Sequence, residues 1–312
     1  MDLLPVVFIH SGYREYFKYV LKQAVKMKNK VYLLGDRTNQ HIENIGWYNI
    51  EEFSLKYYCE FKEKYKHMST NSYQFELMCF KRYFILYEFL KRENIDSCIL
   101  CDSDLMIYVD FNEVNINFTD LELIYSGSGT QERYRWSYSA HCSYWTINNL
   151  KKFLAFIQDV YENHLEILEE KWRYHQKNAI RGGICDMTLL YLYVEKNVKK
   201  TFLNSTSIKP VFDHSIRSTE GYFETQFVFD KKIGCKKIVF IDAVPYFFEK
   251  NTGEKIRTYT IHAQGRSKMY ISCFFYNRNS LFYYYWEAFK YLIRNYCELK
   301  RSILNRMIKK DV

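Results

Sequence analysis

Proline and glycine are scarce in this chain, 3 and 11 among 312 residues, which excludes collagen-like and proline-rich disordered classes. No window approaches the ~18 consecutive apolar residues that a membrane-crossing helix needs. The start, Met1-Asp2-Leu3-Leu4-Pro5, lacks a basic stretch ahead of an apolar one, so no signal peptide is expected and a cytoplasmic location is. Cysteine offers no extracellular framework, because the nine present are an odd number scattered from Cys59 to Cys297, as free thiols in a reducing compartment would be. The nearest pair, Cys98 and Cys101, lies three apart in an apolar strand. That offset sends the side chains to opposite faces and argues against a redox or metal pair.

What is present is an ordinary globular composition, 48% hydrophobic and 26% charged, with 30 Tyr and 24 Phe. The chain can bury a substantial core. Lysine and arginine exceed the acids by 45 to 36, a net charge of +9. Such an excess suits nucleotides, anionic membranes or nucleic acid alike, and does not choose among them.

The hydrophobic pattern opens with a strand, Val6-Val7-Phe8-Ile9, ended by His10-Ser11-Gly12. Tyr16, Phe17, Val20, Leu21, Ala24 and Val25 then recur at helical spacing, and Val31-Tyr32-Leu33-Leu34 forms a second strand running into Gly35-Asp36. This is the βαβ unit that opens nucleotide-binding α/β folds, although the loop after its first strand has no G-x-G-x-x-G. A helix is predicted over Ser72 to Arg92, with Phe75, Met78, Cys79, Ile85, Leu86 and Phe89 in one stripe and Arg82 among them. An arginine facing inward requires an anionic partner. The strand Ser97 to Leu100 delivers Cys101-Asp102-Ser103-Asp104 to its carboxyl end, where α/β sheets bind ligands. Further on, Tyr144 to Ile147 reads as a strand, followed by an Asn148 or Asn149 cap and a helix through Leu168. Arg181-Gly182-Gly183 is a turn before a helix from Met187 to Lys196, short strands alternate with turns over 200–255, and a last strand through Arg257, Tyr259 and Ile261 ends at His262. Residues 1–280 read as one domain.

Two carboxylates one residue apart at a strand end can hold a divalent cation beside a phosphate. A calcium loop does not fit, since Ile107 occupies the sixth position that needs glycine. An aspartyl phosphatase remains an alternative, with Met106 standing where those enzymes carry Thr or Val. A solvated acidic turn is the plainer reading.

The C-terminal run Ile261-His262-Ala263-Gln264-Gly265-Arg266-Ser267-Lys268 adds H-x-x-G-x-x-K to the D-x-D. Together they resemble the paired pattern of GT-A glycosyltransferases that use nucleotide-diphosphate sugars, including glycogenin-like enzymes. The resemblance runs from Ile9-His10-Ser11 and Leu34-Gly35-Asp36 through Arg82 to Ser139-Ala140-His141. It implies a GT-A-type α/β fold, a Rossmann-like mixed sheet flanked by helices with a C-terminal helical extension. It also implies a donor, UDP-linked, bound by Ile9, His10, Ser11, Asp36, Arg82, Asp102, Ser103, His141, Gly265 and Lys268, and a Mn²⁺ or Mg²⁺ ion faced by Asp102, Asp104 and His262. Lys268 would stabilise the leaving diphosphate, and Gly265 would allow close backbone approach. Asp186 would bind sugar hydroxyls or take the acceptor's proton, unless it simply caps its helix. His141, expected in a loop before the Tyr144 strand, is a weaker sugar contact. Asp36 at its strand end would accept from ribose or base, or merely form a turn.

Residues 281–312 form a separate basic segment. Phe289, Leu292, Ile293, Tyr296, Ile303 and Met307 mark one helical stripe after Phe282-Tyr283-Tyr284-Tyr285-Trp286, and Lys290, Arg294, Lys300, Arg301, Arg306, Lys309 and Lys310 outnumber the acids. Such a helix suits an anionic lipid surface on the cytosolic side or packing on the core. The expected function is metal-dependent sugar transfer to a glycan or lipid-linked acceptor, with no nucleic acid. Its rival is a non-catalytic basic protein that binds nucleic acid or membrane.

Overall fold

The computed structural model describes residues 3–40, 42–114, 116, 118, 123–127, 132–197, 211–218 and 227–308, and beyond 293 it describes only Tyr296 as a side chain. The chain opens with β1 (Val6–His10), α1 (Phe17–Lys26) and β2 (Val31–Gly35). β1 and β2 pair in parallel, Val6 opposite Val31 through His10 opposite Gly35. Phe17, Val20, Leu21 and Ala24 share one face of α1 and are buried. Then come β3 (Gly46–Asn49), α2 (Lys56–Lys64), α3 (Tyr73–Arg92), β4 (Ser97–Cys101), β5 (Leu105–Ile107), β6 (Leu123–Ser126) and β7 (Ser139–Thr146). The main sheet runs β3-β2-β1-β4-β7-β6. Its first four strands are parallel, and β7 is antiparallel to both β4 and β6. It is therefore a mixed α/β sheet with helices packed on it.

Both faces of the parallel strands are covered, which is why they read as unbroken apolar runs. Phe8, Leu33, Ile99 and Cys101 belong to one core, and Val7, Leu34, Cys98 and Leu100 to the other. Cys98 and Cys101 are thus on opposite faces, free and buried. On α3, Ser72 Oγ accepts from the Phe75 N–H and caps the helix. Phe75 itself is exposed rather than in the buried stripe, whose first members are Glu76 and Leu77.

Three helices follow, α4 (Ile147–Asn163), α5 (Leu165–Lys177) and α6 (Asp186–Asn197). The single helix expected through Leu168 is broken at His164, whose φ of −136° leaves the helical region. The cap is also corrected. Thr146 Oγ1 accepts from the Asn149 N–H at 3.2 Å, while the Asn149 side chain is buried and accepts from Tyr193 Oη at 2.6 Å. Ile147 is the first helical residue, not a strand end.

The remaining elements are β8 (Val211–Phe212), β9 (Phe229–Asp230), β10 (Cys235–Lys236), β11 (Ile238–Ile241), β12 (Val244–Phe248), β13 (Lys255–His262), α7 (Ile271–Phe275) and α8 (Leu281–Ile308). A second sheet runs β11-β12-β13-β5, with β8 also on β13, and β9 pairs with β10. Parts of the 200–255 stretch lie outside the described residues. Tyr284 of α8 packs on Tyr270 and Phe274, whereas Phe282, Tyr285, Trp286, Phe289, Leu292, Ile293 and Tyr296 are exposed. The side chains of Arg294, Lys300, Arg301, Ile303, Arg306 and Met307, and all of Lys309 and Lys310, lie outside the described residues. No described helix is long and apolar enough to cross a membrane.

Candidate metal centre

Asp102-Ser103-Asp104 is the turn between β4 and β5, closed by the Leu105 N–H donating to the Asp102 carbonyl at 3.1 Å. β4 ends in the first sheet and β5 joins the second, antiparallel to β13 with Leu105 opposite His262. The Ala263 N–H donates to the Asp104 carbonyl at 2.9 Å. Strand register thus brings the D-x-D against the end of the last long strand. One ligand atom each from Asp102, Asp104 and His262 lie within 4.8 Å of one another. His262 Nε2 is 3.3 Å from Asp104 Oδ1, and Lys268 Nζ is 3.1 Å from Asp104 Oδ2. Lys268 arrives on a short 3₁₀ turn that begins at Gly265, whose φ of +57° favours glycine.

The imidazole of His262 is held from three sides. Its Nδ1 donates to the His214 carbonyl at 2.6 Å, which turns Nε2 toward the carboxylates, to donate to Asp104 when protonated and to offer a lone pair to a cation when neutral. Its ring stacks on His141 at 4.2 Å between centroids. Its backbone N–H donates to Asp213 Oδ2 at 3.0 Å, and Asp213 Oδ1 accepts from Lys236 Nζ at 2.6 Å. The Asp213–Lys236 pair is 0% and 1% exposed, so it is a fully buried support. Burial alone would raise the Asp104 carboxyl, but the His262 hydrogen bond and charge, with Lys268, hold it down at about 2. Burial works most strongly against charge on His262, and the Asp104 hydrogen bond and charge, with Asp102 and the His214 carbonyl, together outweigh it and raise its pKa.

His141 is not a loop residue. It sits within β7, buried, with Nε2 donating to the Asp213 carbonyl at 3.1 Å and Nδ1 2.9 Å from Ser139 Oγ. Both its ring nitrogens have partners within the chain, and its ring backs His262.

Arg82 joins the cluster from α3. Its two terminal nitrogens donate to Asp102 Oδ1 at 2.5 Å and Asp186 Oδ2 at 2.6 Å. Tyr83 Oη also donates to Asp186 Oδ2, at 3.1 Å. The inward-facing arginine therefore has two anionic partners, one from the D-x-D and one from the first residue of α6. Gly183, at φ +145°, lets the chain before Asp186 press against the Met68–Ser69 backbone, where a Cβ would lie 2.2 Å from the Met68 carbonyl oxygen.

Ile9, His10, Ser11 and Asp36 lie at or just past the carboxyl ends of β1 and β2, and Ser103 lies half-buried between the two aspartates. Asp36 has mostly structural work. Oδ2 accepts from the Gly12 N–H at 2.6 Å, and Oδ1 accepts from the Thr38 N–H at 2.9 Å and the Thr38 hydroxyl at 2.5 Å. It ties the two strand-end loops together. His10 packs on Phe17, and burial, then the charges of Arg14 and Lys268, lower its pKa to about 4. A cavity of about 640 Å³ opens there, walled by Arg14, Tyr16, Tyr19, Gly265, Lys268 and Glu287 of α8.

The sequence reading missed Asp213, His214 and Lys236, which lie in or just after short strands of weak pattern. It also missed Arg14 and Tyr16, although an aromatic and basic run directly after a strand end could have flagged them.

No family model and no curated protein matches the chain. Among solved structures, mouse xyloside xylosyltransferase 1 in its apo form is similar at 9% identity and a TM-score of 0.43, covering 63% of this chain and 83% of its own. A glycosyltransferase involved in the glycosylation of the major capsid of PBCV-1 is similar at 7% identity and a TM-score of 0.34, covering 64% and 80%. Likeness this distant carries no functional weight.

Proposed function

We propose that the chain is a metal-dependent glycosyltransferase of the GT-A type, transferring a sugar from a UDP-linked donor to a glycan or lipid-linked acceptor. The observation that supports it is the convergence of Asp102, Asp104 and His262 from two sheets, with Lys268 beside them and Asp186 tied in through Arg82. Two carboxylates and an imidazole that gives up its Nε2 proton on binding form a donor set suited to Mn²⁺, and somewhat less to Mg²⁺. When bound, such an ion neutralises charge on a diphosphate leaving group.

The chain's own residues do the rest. Lys268 leaves Asp104 for the leaving diphosphate and stabilises the charge that develops as the glycosidic bond breaks. Arg82 fixes Asp102 on the metal side and Asp186 on the sugar side with one rigid guanidinium. Asp186 keeps Oδ1 for the hydroxyls of the sugar. The 640 Å³ cavity, with Arg14, Lys268 and its tyrosines, falls within the size range of ligand pockets and offers cations for phosphate and rings for a base. A nucleic-acid-binding role accounts for none of the three carboxylates, which would repel phosphate unless a cation lay between them.

The described cysteines are all free, in keeping with a cytoplasmic setting. The outer face of α8 carries Trp286, Phe289 and Leu292 into solvent, and we assign it to peripheral contact with an anionic membrane surface. Calorimetry with UDP and UDP-sugars, with Mn²⁺ and with EDTA, tests the donor reading. Binding is expected only with the metal, and His262→Ala should weaken metal affinity by at least ~10- to 100-fold. Absence of any nucleoside diphosphate binding in the presence of Mn²⁺ sinks it.

A further inference from the structure

A second cavity, of about 360 Å³, lies around the start of α6, lined by Cys185 and Met187 on either side of Asp186. Its other walls carry Arg133, Arg135, Arg181 and Lys171, against one acid, Glu132. None of the four cations has a carboxylate within ion-pair distance among the described residues. The three arginines are exposed, but Lys171 is only 2% exposed. Its ammonium donates to the carbonyls of Arg135 and Trp136, at 3.0 and 3.3 Å, and to Thr188 Oγ1 at 2.8 Å. Its protons are satisfied, yet its charge is met only by these dipoles and by the Trp136 ring, whose centroid is 5.9 Å from Nζ, with no carboxylate beside it. A buried cation without a counter-ion is costly, and a bound anion relieves that cost.

His175 lines the same cavity and is 6% exposed. Its Nε2 donates to the Tyr134 carbonyl at 3.1 Å, and its Nδ1 is buried with no partner. Burial holds the ring neutral, so Nδ1 is an open acceptor suited to a hydroxyl. The half-buried indole of Trp136 also lines the wall. An arginine rim, a lysine without counter-ion and an open acceptor together describe a site for an acidic saccharide.

We infer that this cavity binds the anionic group, carboxylate or phosphate, of a saccharide, and, resting on the transferase reading, that this saccharide is the acceptor, since the residues on either side of Asp186 line the cavity. The guanidinium planes of Arg135 and Arg181 match either oxyanion. The inference sets a substrate class that the metal centre does not specify, an acidic rather than a neutral glycan.

The test uses the full chain and calorimetric titration with glucuronic acid, glucose 6-phosphate and glucose, with UDP plus Mn²⁺ titrated in parallel. At least one acidic sugar should bind and glucose should not, and the relative affinities of the two acids tell carboxylate from phosphate. Arg135→Ala combined with Arg181→Ala should weaken that binding by about 10- to 100-fold, two charge-assisted bonds being lost, and leave UDP binding unchanged. If UDP binds but no acidic sugar does, or if the double variant binds the acid as tightly as the parent, the inference is overturned and the transferase reading stands. If the acidic sugar binds through these arginines and UDP does not bind with Mn²⁺, the saccharide site stands and the transferase reading falls.

Discussion

Replacing Arg82 by leucine removes the one side chain that holds Asp102 and Asp186 together, and its cost can be worked from the geometry. Arg82 is 17% exposed and makes two contacts, 2.5 and 2.6 Å long, to carboxylates that are 32% and 5% exposed. Breaking a buried pair while leaving the partner charged costs about 3–5 kcal/mol. Because Asp102 retains contact with water, the low end applies, and Arg82→Leu should destabilise by about 3 kcal/mol. In a chain of this size that lowers Tm by roughly 6 °C. Asp186→Asn leaves Arg82 on Asp102 and should cost less, about 1–2 kcal/mol. The double variant no longer strands a buried carboxylate at Asp186. It should cost about 3 kcal/mol, less than the two single changes summed, a coupling of at least ~1 kcal/mol. Urea unfolding of the four proteins, followed by circular dichroism, closes the cycle. Costs that add to within about 0.5 kcal/mol would refute the clamp, since independent sites behave that way.

Two further outcomes can be checked. Burial lowers the Lys171 pKa to about 8, so between there and the ordinary lysine value the unfolded chain binds more protons and stability should rise with pH. The rise, on the order of 3 kcal/mol at most, should be seen in the parent and be missing from Lys171→Met, and equal pH slopes for the two would contradict it. For α8, Trp286→Asp with Phe289→Asp should reduce sedimentation with vesicles rich in phosphatidylserine by ~10-fold or more at unchanged Tm, both rings being exposed. Undiminished sedimentation removes the lipid role from this face.

Much of the frame was legible because its cues are local. Parallel strands covered on both faces must be apolar throughout, so Val6 to Ile9, Val31 to Leu34 and Ser97 to Leu100 stood out. The apolar face of α1 and the start of α3 near Ser72 are also short-range features. Local rules failed where another residue competed for a role. Thr146 took the cap because Asn149 is drawn inward to Tyr193, and the α4 pattern continued past His164 although the backbone turns there. His141 was misplaced because a buried strand residue and a loop residue look alike beside Ser139 and Ala140.

By itself the sequence determined that an α/β chain would carry acids at the end of the strand from Ser97, an arginine needing an anion, and a histidine and lysine near its last long strand. Those follow from residue type and spacing over a few turns or strand lengths. Only the tertiary structure decided that these groups meet. The register of β5 on β13 sets His262 against Asp104, one guanidinium spans Asp102 and Asp186, and the buried Asp213–Lys236 pair fixes the imidazole from behind. Strand pairing and burial across more than a hundred residues act through space, and no short stretch of sequence records them.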